Sequence, residues 1–349
     1  MQKLRGVMQQ KEVDAFLITK PENIRYLSGF TGGMDGRLVV TDNQQYLLTD
    51  SRYWEQASIE SPQWELVKET TPGIDLLVDL VSKYKKLALE SQHMTIESFR
   101  QLEARFENQL YLLSDIIEGL RTVKDETELN LLRRAAEISD EVFEDICQYI
   151  KVGLTERQIA NRVVYLLKQK GCQKESFDTI AVSGPNAALP HGQPGDRILI
   201  DGDMLTLDFG GFYQGYAGDM TRTVIIGNGS QYLKDNYMRL LEAQQLGVSN
   251  VRSGMAGQEV DKLVRECLQK HSLDIYFAHS TGHGVGLEIH ENPRLSRSSK
   301  SILEENMVVT VEPGIYIPGW GGIRIEDTVI VKNGGCEVIT HSDKGLIIL

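Results

Sequence analysis

Two segments of this chain set carboxylates opposite one another, and no ordinary fold tolerates that without a positive partner. In MLTLDFGGFYQGYAGDMTRTVII, Asp208 and Asp219 lie equally far either side of a turn centred on Tyr213 and Gln214, as antiparallel partners would. In VVTVEPGIYIPGWGGIRIEDTVIV, Glu312 and Glu326 lie equally far from Gly319, inside the turn-rich run PGWGG. Like charges facing each other across a ladder destabilise it. Asp208 follows the apolar run MLTL, and Glu312 sits inside VVTVEPGIYI, where an unpaired carboxylate would be costly. Between the two segments, HSTGHGVGLEIHE carries His279, His283 and His290, with His283 flanked by Gly282 and Gly284. Four carboxylates and a neutral imidazole form a donor set for two hard divalent cations, and the first expectation is a metal-dependent hydrolase.

At 349 residues the chain is long for a single core, so two domains are expected. The net charge of −12 argues against nucleic acid or an anionic membrane as partner, because both call for clustered Lys and Arg. Small or neutral ligands fit better. No apolar run approaches the length that spans a bilayer, and MQKLRGVMQQKEVDAFLI lacks the apolar stretch of a signal peptide. Cys147, Cys172, Cys267 and Cys336 are widely spaced, which suits free thiols in a reducing compartment, and a cytoplasmic protein is expected. The glycine runs GFTGG and GGMDG lack phosphate-loop spacing and read as turns. His271 and His341 read as ordinary surface or core histidines.

The first third alternates short apolar runs with helical stretches. VDAFLIT, IRYLSGF, GRLVVT, QQYLLT and KLALES are expected to be strands, and SRYWEQAS and MTIESFRQLEARF helices, giving an α/β domain over residues 1–121. Asp125 with Glu128, and Thr155 with Gln158, are capping boxes for two amphipathic helices, the second stopped at Gly171. A further helix pair, QYLKDNYMRLLEAQQLGVSNV and AGQEVDKLVRECLQKHS, separates the aspartate hairpin from the histidine segment. Residues 122–349 therefore read as an α+β domain, and its order of two helices then a carboxylate hairpin, repeated, hints at a duplicated half.

LDFGGFYQGYAGDMTRT, HSTGHGVGLEIHE, VEPGIY and GGIRIED resemble, in order, the aspartate, histidine and two glutamate motifs of the pita-bread metallopeptidases. The resemblance is closest to the aminopeptidase P and prolidase branch and covers essentially the whole chain. It implies a creatinase/prolidase-type α/β domain followed by a pita-bread catalytic domain. It also implies that Asp208, Asp219, His283, Glu312 and Glu326 hold two divalent ions, manganese by family expectation, with cobalt, zinc or iron tolerated. Glu312 would be the proton acceptor and later donor. His191, in SFDTIAVSGPNAALPHG, resembles a substrate-contacting histidine, and His279 and His290 resemble further site histidines. Tyr316 and Arg324 would wall a proline pocket, and Phe177 stands where some relatives have Tyr. The implied activity is removal of an N-terminal residue that precedes proline. An Xaa-Pro dipeptidase and a non-catalytic peptide-binding module are the alternatives, and proline-containing peptides and a second copy of the chain are the expected partners.

Overall fold

In the computed structural model, which describes residues 1–70 and 74–349, the chain divides into units Met1–Arg121 and Thr122–Leu349. The first is built on a six-stranded sheet in the spatial order Glu65–Glu69, Gln45–Asp50, Gly36–Thr41, Ala15–Ile18, Lys86–Glu90, Gln109–Leu113. The central strand Ala15–Ile18 is buried along its whole length. Its alternate residues serve two cores: Phe16 and Ile18 pack with Leu38, Val40 and Ala88 on one face, Ala15 and Leu17 with Val39, Leu87 and Leu89 on the other.

One expected strand is a helix. Most of IRYLSGF lies in the helix Pro21–Ser28, with Pro21 in its first turn and Gly29 closing it at φ 82°. Pro at the start and Gly just past the end outweigh a short apolar run that fits either periodicity. Sequence reading passed over the strands Glu65–Glu69 and Gln109–Leu113 and the helices Gln2–Gln10 and Asp75–Val81. Both strands are half-exposed edges, and such edges carry a weak apolar signal.

In the second unit, Asp125 caps the helix Glu126–Tyr149 and Thr155 caps Glu156–Gln169, each in a reciprocal box with Glu128 or Gln158. The helices Gln231–Asn250 and Gly257–Gln269 follow. The first pair packs Ile138, Val142, Ile159 and Val163 against Leu205, Leu207 and Phe209, and the second packs Leu240, Val264 and Leu268 against Ile315, Ile323 and Ile325.

The duplication hinted at by element order extends to individual hydrogen bonds. Gly153 N donates to Leu199 O, Leu199 N to Leu154 O, and Glu156 N to Arg197 O. A hundred residues on, Gly254 N donates to Leu303 O, Leu303 N to Met255 O, and Gly257 N to Ser301 O. Gly153 and Gly254 share left-handed backbone, φ 95° and 86°. Each half thus ties the start of its second helix to the loop leading into a carboxylate hairpin.

Candidate metal centre and substrate cleft

The two carboxylate hairpins differ in register. In the first, Met204–Phe209 pairs with Met220–Ile225 so that Asp208 faces Thr221, two residues beyond the symmetric partner Asp219. The tip turns at Gln214 and Gly215, whose φ values of 44° and 81° are both positive, one residue later than expected. Glycine at 215 takes that conformation at no steric cost, which draws the turn to it. A shift of two preserves the face, so both aspartates remain available to one site. In the second hairpin, Val311 pairs with Asp327 and Gly314 with Arg324, which leaves Glu312 and Glu326 at mirrored positions between the two ladders about Gly319.

Asp219, His283 and Glu326 present ligand atoms that all lie within 4.8 Å of one another, and all three are buried. His283 Nε2 stands 3.5 Å from Asp219 Oδ2 and 3.4 Å from Glu312 Oε1. Its Nδ1 lies 3.0 Å from the Gly284 carbonyl, which can only accept, so Nδ1 carries the proton and Nε2 turns a lone pair toward the carboxylates. Burial holds the imidazole neutral, its pKa lowered to about 3. Burial and then the neighbouring carboxylates raise the pKa of Asp219 and of Glu326 well above the usual range. Burial pushes Glu312 up to about 8 against the opposing pull of Arg324. Asp208 Oδ1 is buried without a hydrogen-bond partner. A lone pair aimed at crowded carboxylates and an orphaned carboxylate oxygen are what a divalent cation would satisfy, and the donor set fits one.

Around this cluster lies a cavity of about 480 Å³. It is lined by Asp208, Asp219, His283, Glu312 and Glu326 together with Phe177, His191, His279, His290 and Arg324. Tyr316, expected on the pocket wall, is not among the lining residues. It is buried behind them, where Arg324 donates to its hydroxyl at 2.7 Å and the hydroxyl lies 2.9 Å from His279 Nε2. Since His279 Nδ1 faces the Ser280 carbonyl at 2.8 Å, the chain runs in one direction, from Arg324 through Tyr316 to His279. Burial depresses the His279 pKa to about 4 and raises that of Tyr316 to about 12. Arg324 also pairs with Asp208, donates to Thr221 Oγ1 at 3.1 Å and reaches the Pro190 carbonyl at 3.2 Å. His271 pairs with Glu242, and His341 donates its backbone N–H to Asp140.

Three contributors escaped sequence reading. Thr221 donates to Glu326 Oε2 at 2.7 Å, and Thr310 donates to Glu312 Oε1 at 3.4 Å. Both are strand residues two places from an expected ligand or opposite one, so the period-2 pattern could have found them. Arg294 lines the cavity from the strand Glu291–Leu295, outside every motif. Only the sheet order, which lays that strand beside Gly282–Gly284, brings it there.

Residues 130–333 match the model of metallopeptidase family M24, and residues 1–123 match the creatinase/prolidase N-terminal domain. The solved structure of an Xaa-Pro dipeptidase from Bacillus anthracis superposes with a TM-score of 0.98 at 40% identity, covering 100% of this chain and 98% of that one. An X-Pro aminopeptidase from Thermotoga maritima gives 0.92 at 37% identity, with 97% and 98% covered. The Xaa-Pro dipeptidase of Pyrococcus furiosus is 35% identical, with 99% of each chain covered. Matched end to end by these peptidases, the chain belongs to metallopeptidase family M24, a peptidase with a pita-bread catalytic unit behind a creatinase/prolidase-type N-terminal domain.

Proposed function

We propose that this protein is an Xaa-Pro dipeptidase whose divalent ions are held by Asp208, Asp219, His283, Glu312 and Glu326. The reading expected first, an aminopeptidase acting on longer peptides, takes second place. What carries the proposal is full-length likeness to proteins named Xaa-Pro dipeptidase, at 40% and 35% identity. The cleft adds a chemical reason. Arg324 is buried and committed to Asp208, Thr221 and Tyr316, whereas Arg294 is exposed and, among the described residues, has no ion pair of its own. A cation in that state suits the free carboxylate that a dipeptide presents at its second residue and a longer peptide does not.

Bound divalent ions, manganese by family expectation, would supply Lewis acidity and a water-derived nucleophile near neutral pH. Glu312 would take up a proton and return it to the leaving prolyl nitrogen, which has no hydrogen of its own in the peptide bond. His191 and His290 would stabilise charge on the carbonyl oxygen, and Phe177 would offer an apolar wall to the substrate. Arg324 and His279 would hold the ligand Asp208 and the cleft wall in place. Four cysteines free of disulfides support a reducing, cytoplasmic setting, and a homodimer is the family expectation.

The test is hydrolysis of Ala-Pro and Ala-Pro-Ala by chelator-stripped protein before and after adding Mn2+. Metal-restored cleavage confined to Ala-Pro supports the dipeptidase. Cleavage of the tripeptide's first bond favours the aminopeptidase, the reading supported by the Thermotoga relative. No cleavage of either by the metal-loaded protein would sink the Xaa-Pro assignment.

A further inference from the structure

Each segment that brings site histidines to the cleft is held by one buried carboxylate through both the backbone and the side chain of a hydroxyl residue. In the first half, Glu156 accepts from Ser183 N at 2.7 Å and Ser183 Oγ at 2.8 Å, and its other oxygen accepts from Gly195 N at 3.1 Å. The loop carrying His191 hangs between those two points. In the second half, Asp261 accepts from Thr281 N at 3.1 Å and Thr281 Oγ1 at 2.9 Å. Arg265, one turn along the same helix, donates to Asp261 through Nε at 2.7 Å and spends other N–H groups on the carbonyls of Phe277, at 2.9 Å, and His279. The Thr281 carbonyl in turn accepts the Glu312 N–H at 2.8 Å.

We infer that Asp261 is a positioning residue for the metal centre, setting the backbone from Phe277 to His283 against Glu312 with Arg265 as its bridge. The inference rests on the ligand assignment proposed above. Asp261 and Arg265 do not line the cleft, so they act only through the residues they hold. An Asp–Arg pair four residues apart that served only its helix would face solvent and matter little. Here Asp261 is 1% exposed and Arg265 half-buried, and every hydrogen-bond partner of the two outside the helix lies between Phe277 and Thr281, on the backbone that leads to His283. Burying a carboxylate is costly unless its bonds are needed, and the same cost is met in the other half by Glu156, which is fully buried. Glu156 opens its helix whereas Asp261 is the fifth residue of its own, so the two halves reach the same attachment from different turns.

The test uses the full-length protein, stripped and titrated with Mn2+ by calorimetry, alongside kcat and KM for Ala-Pro. Asp261→Asn and Thr281→Val should each weaken Mn2+ binding by about tenfold, the lower end of what outer-sphere partners of metal ligands are worth. Each should also lower kcat more than it raises KM. The double variant should be no worse than the poorer single, because both changes cut the same link, and Thr281→Ser should restore binding. If Asp261→Asn does not fold, the Thr281 pair decides alone. Variants that melt earlier yet keep Mn2+ affinity and kcat within about twofold would reduce Asp261 to a structural residue and overturn the inference. If the parent protein cleaves no Ala-Pro, the dipeptidase reading falls, while the Mn2+ titrations still decide the role of Asp261.

Discussion

At the scale of single residues, the cleft is organised by directed hydrogen bonds rather than by charge alone. Arg324 shows this best, because one guanidinium touches Asp208, Thr221, Tyr316 and Pro190. Tyr316→Phe should leave the cavity's lining intact but strand His279 Nε2 and one Arg324 N–H. The expected cost is about 1–2 kcal/mol of stability, read from urea unfolding, together with about a tenfold fall in kcat/KM for Ala-Pro. Unchanged kcat/KM would show that the chain from Arg324 to His279 does not support the cleft. Crowding of the carboxylates predicts a second behaviour. Asp219, Glu326 and Glu312 hold protons more tightly folded than unfolded, so their stabilising contribution is lost as pH rises through the folded value, about 8 for Glu312. His283 and His279 oppose this only below the ordinary imidazole value of 6.5, since both stay neutral when folded. From pH 6.5 to 8, therefore, chelator-stripped protein should melt at falling temperature, and Mn2+ should raise the melting temperature most at the upper end. A flat profile in stripped protein would contradict the crowding.

At the scale of elements, helix caps and close approaches without a Cβ share the load unequally. Thr155 accepts from Gln158 N at 3.2 Å while Gln158 reaches back to Thr155 N at 2.9 Å. Thr155→Ala should cost about 1 kcal/mol and leave activity unchanged. Gly282 differs in kind, because a Cβ there would lie 1.9 Å from the Thr310 carbonyl oxygen, between the strand that carries His283 and the strand that leads into Glu312. Gly282→Ala must push those strands apart, and Mn2+ affinity should fall together with stability. Chemical denaturation and metal titration of both variants would check the contrast, and equal effects would refute it.

At the scale of the whole molecule, the last residues of the chain buttress the second carboxylate hairpin from behind. Arg222 and Asp327, both buried, pair at 2.9 Å beside Glu326. The Ser342 carbonyl accepts from Arg222 at 2.9 Å, and Lys344 pairs with the other oxygen of Asp327. Beyond them, Ile225 at the end of the aspartate hairpin's outgoing strand donates its N–H to the Ile347 carbonyl and accepts the Leu349 N–H, at 2.9 and 2.8 Å. Truncation before Ser342 leaves a buried charge short of a partner. It should cost about 3 kcal/mol or more, measured by denaturant unfolding, and should weaken metal binding although no proposed ligand is removed. Metal affinity unchanged in folded truncated protein would show that the tail does not reach the site.

Local chemistry announced much of this protein in advance. The capping boxes at Asp125 and Thr155, the turn at Gly319 and the pattern of buried carboxylates are read from neighbours in sequence, because caps, turns and alternation act over a few residues. Periodicity misled where a run was short, as at Pro21–Ser28, and was faint where strands lay at an edge. The shift of Asp208 onto Thr221 came from one glycine's backbone freedom, and the placing of Tyr316 behind the cleft came from packing. Arg294 and the Asp261 attachment could be known only once distant segments were laid side by side. The residue types and their spacing thus determined which chemistry was present. Which atoms face one another across the cleft was decided by long-range strand order and side-chain packing, because contacts between residues far apart in the chain leave no local periodicity to read.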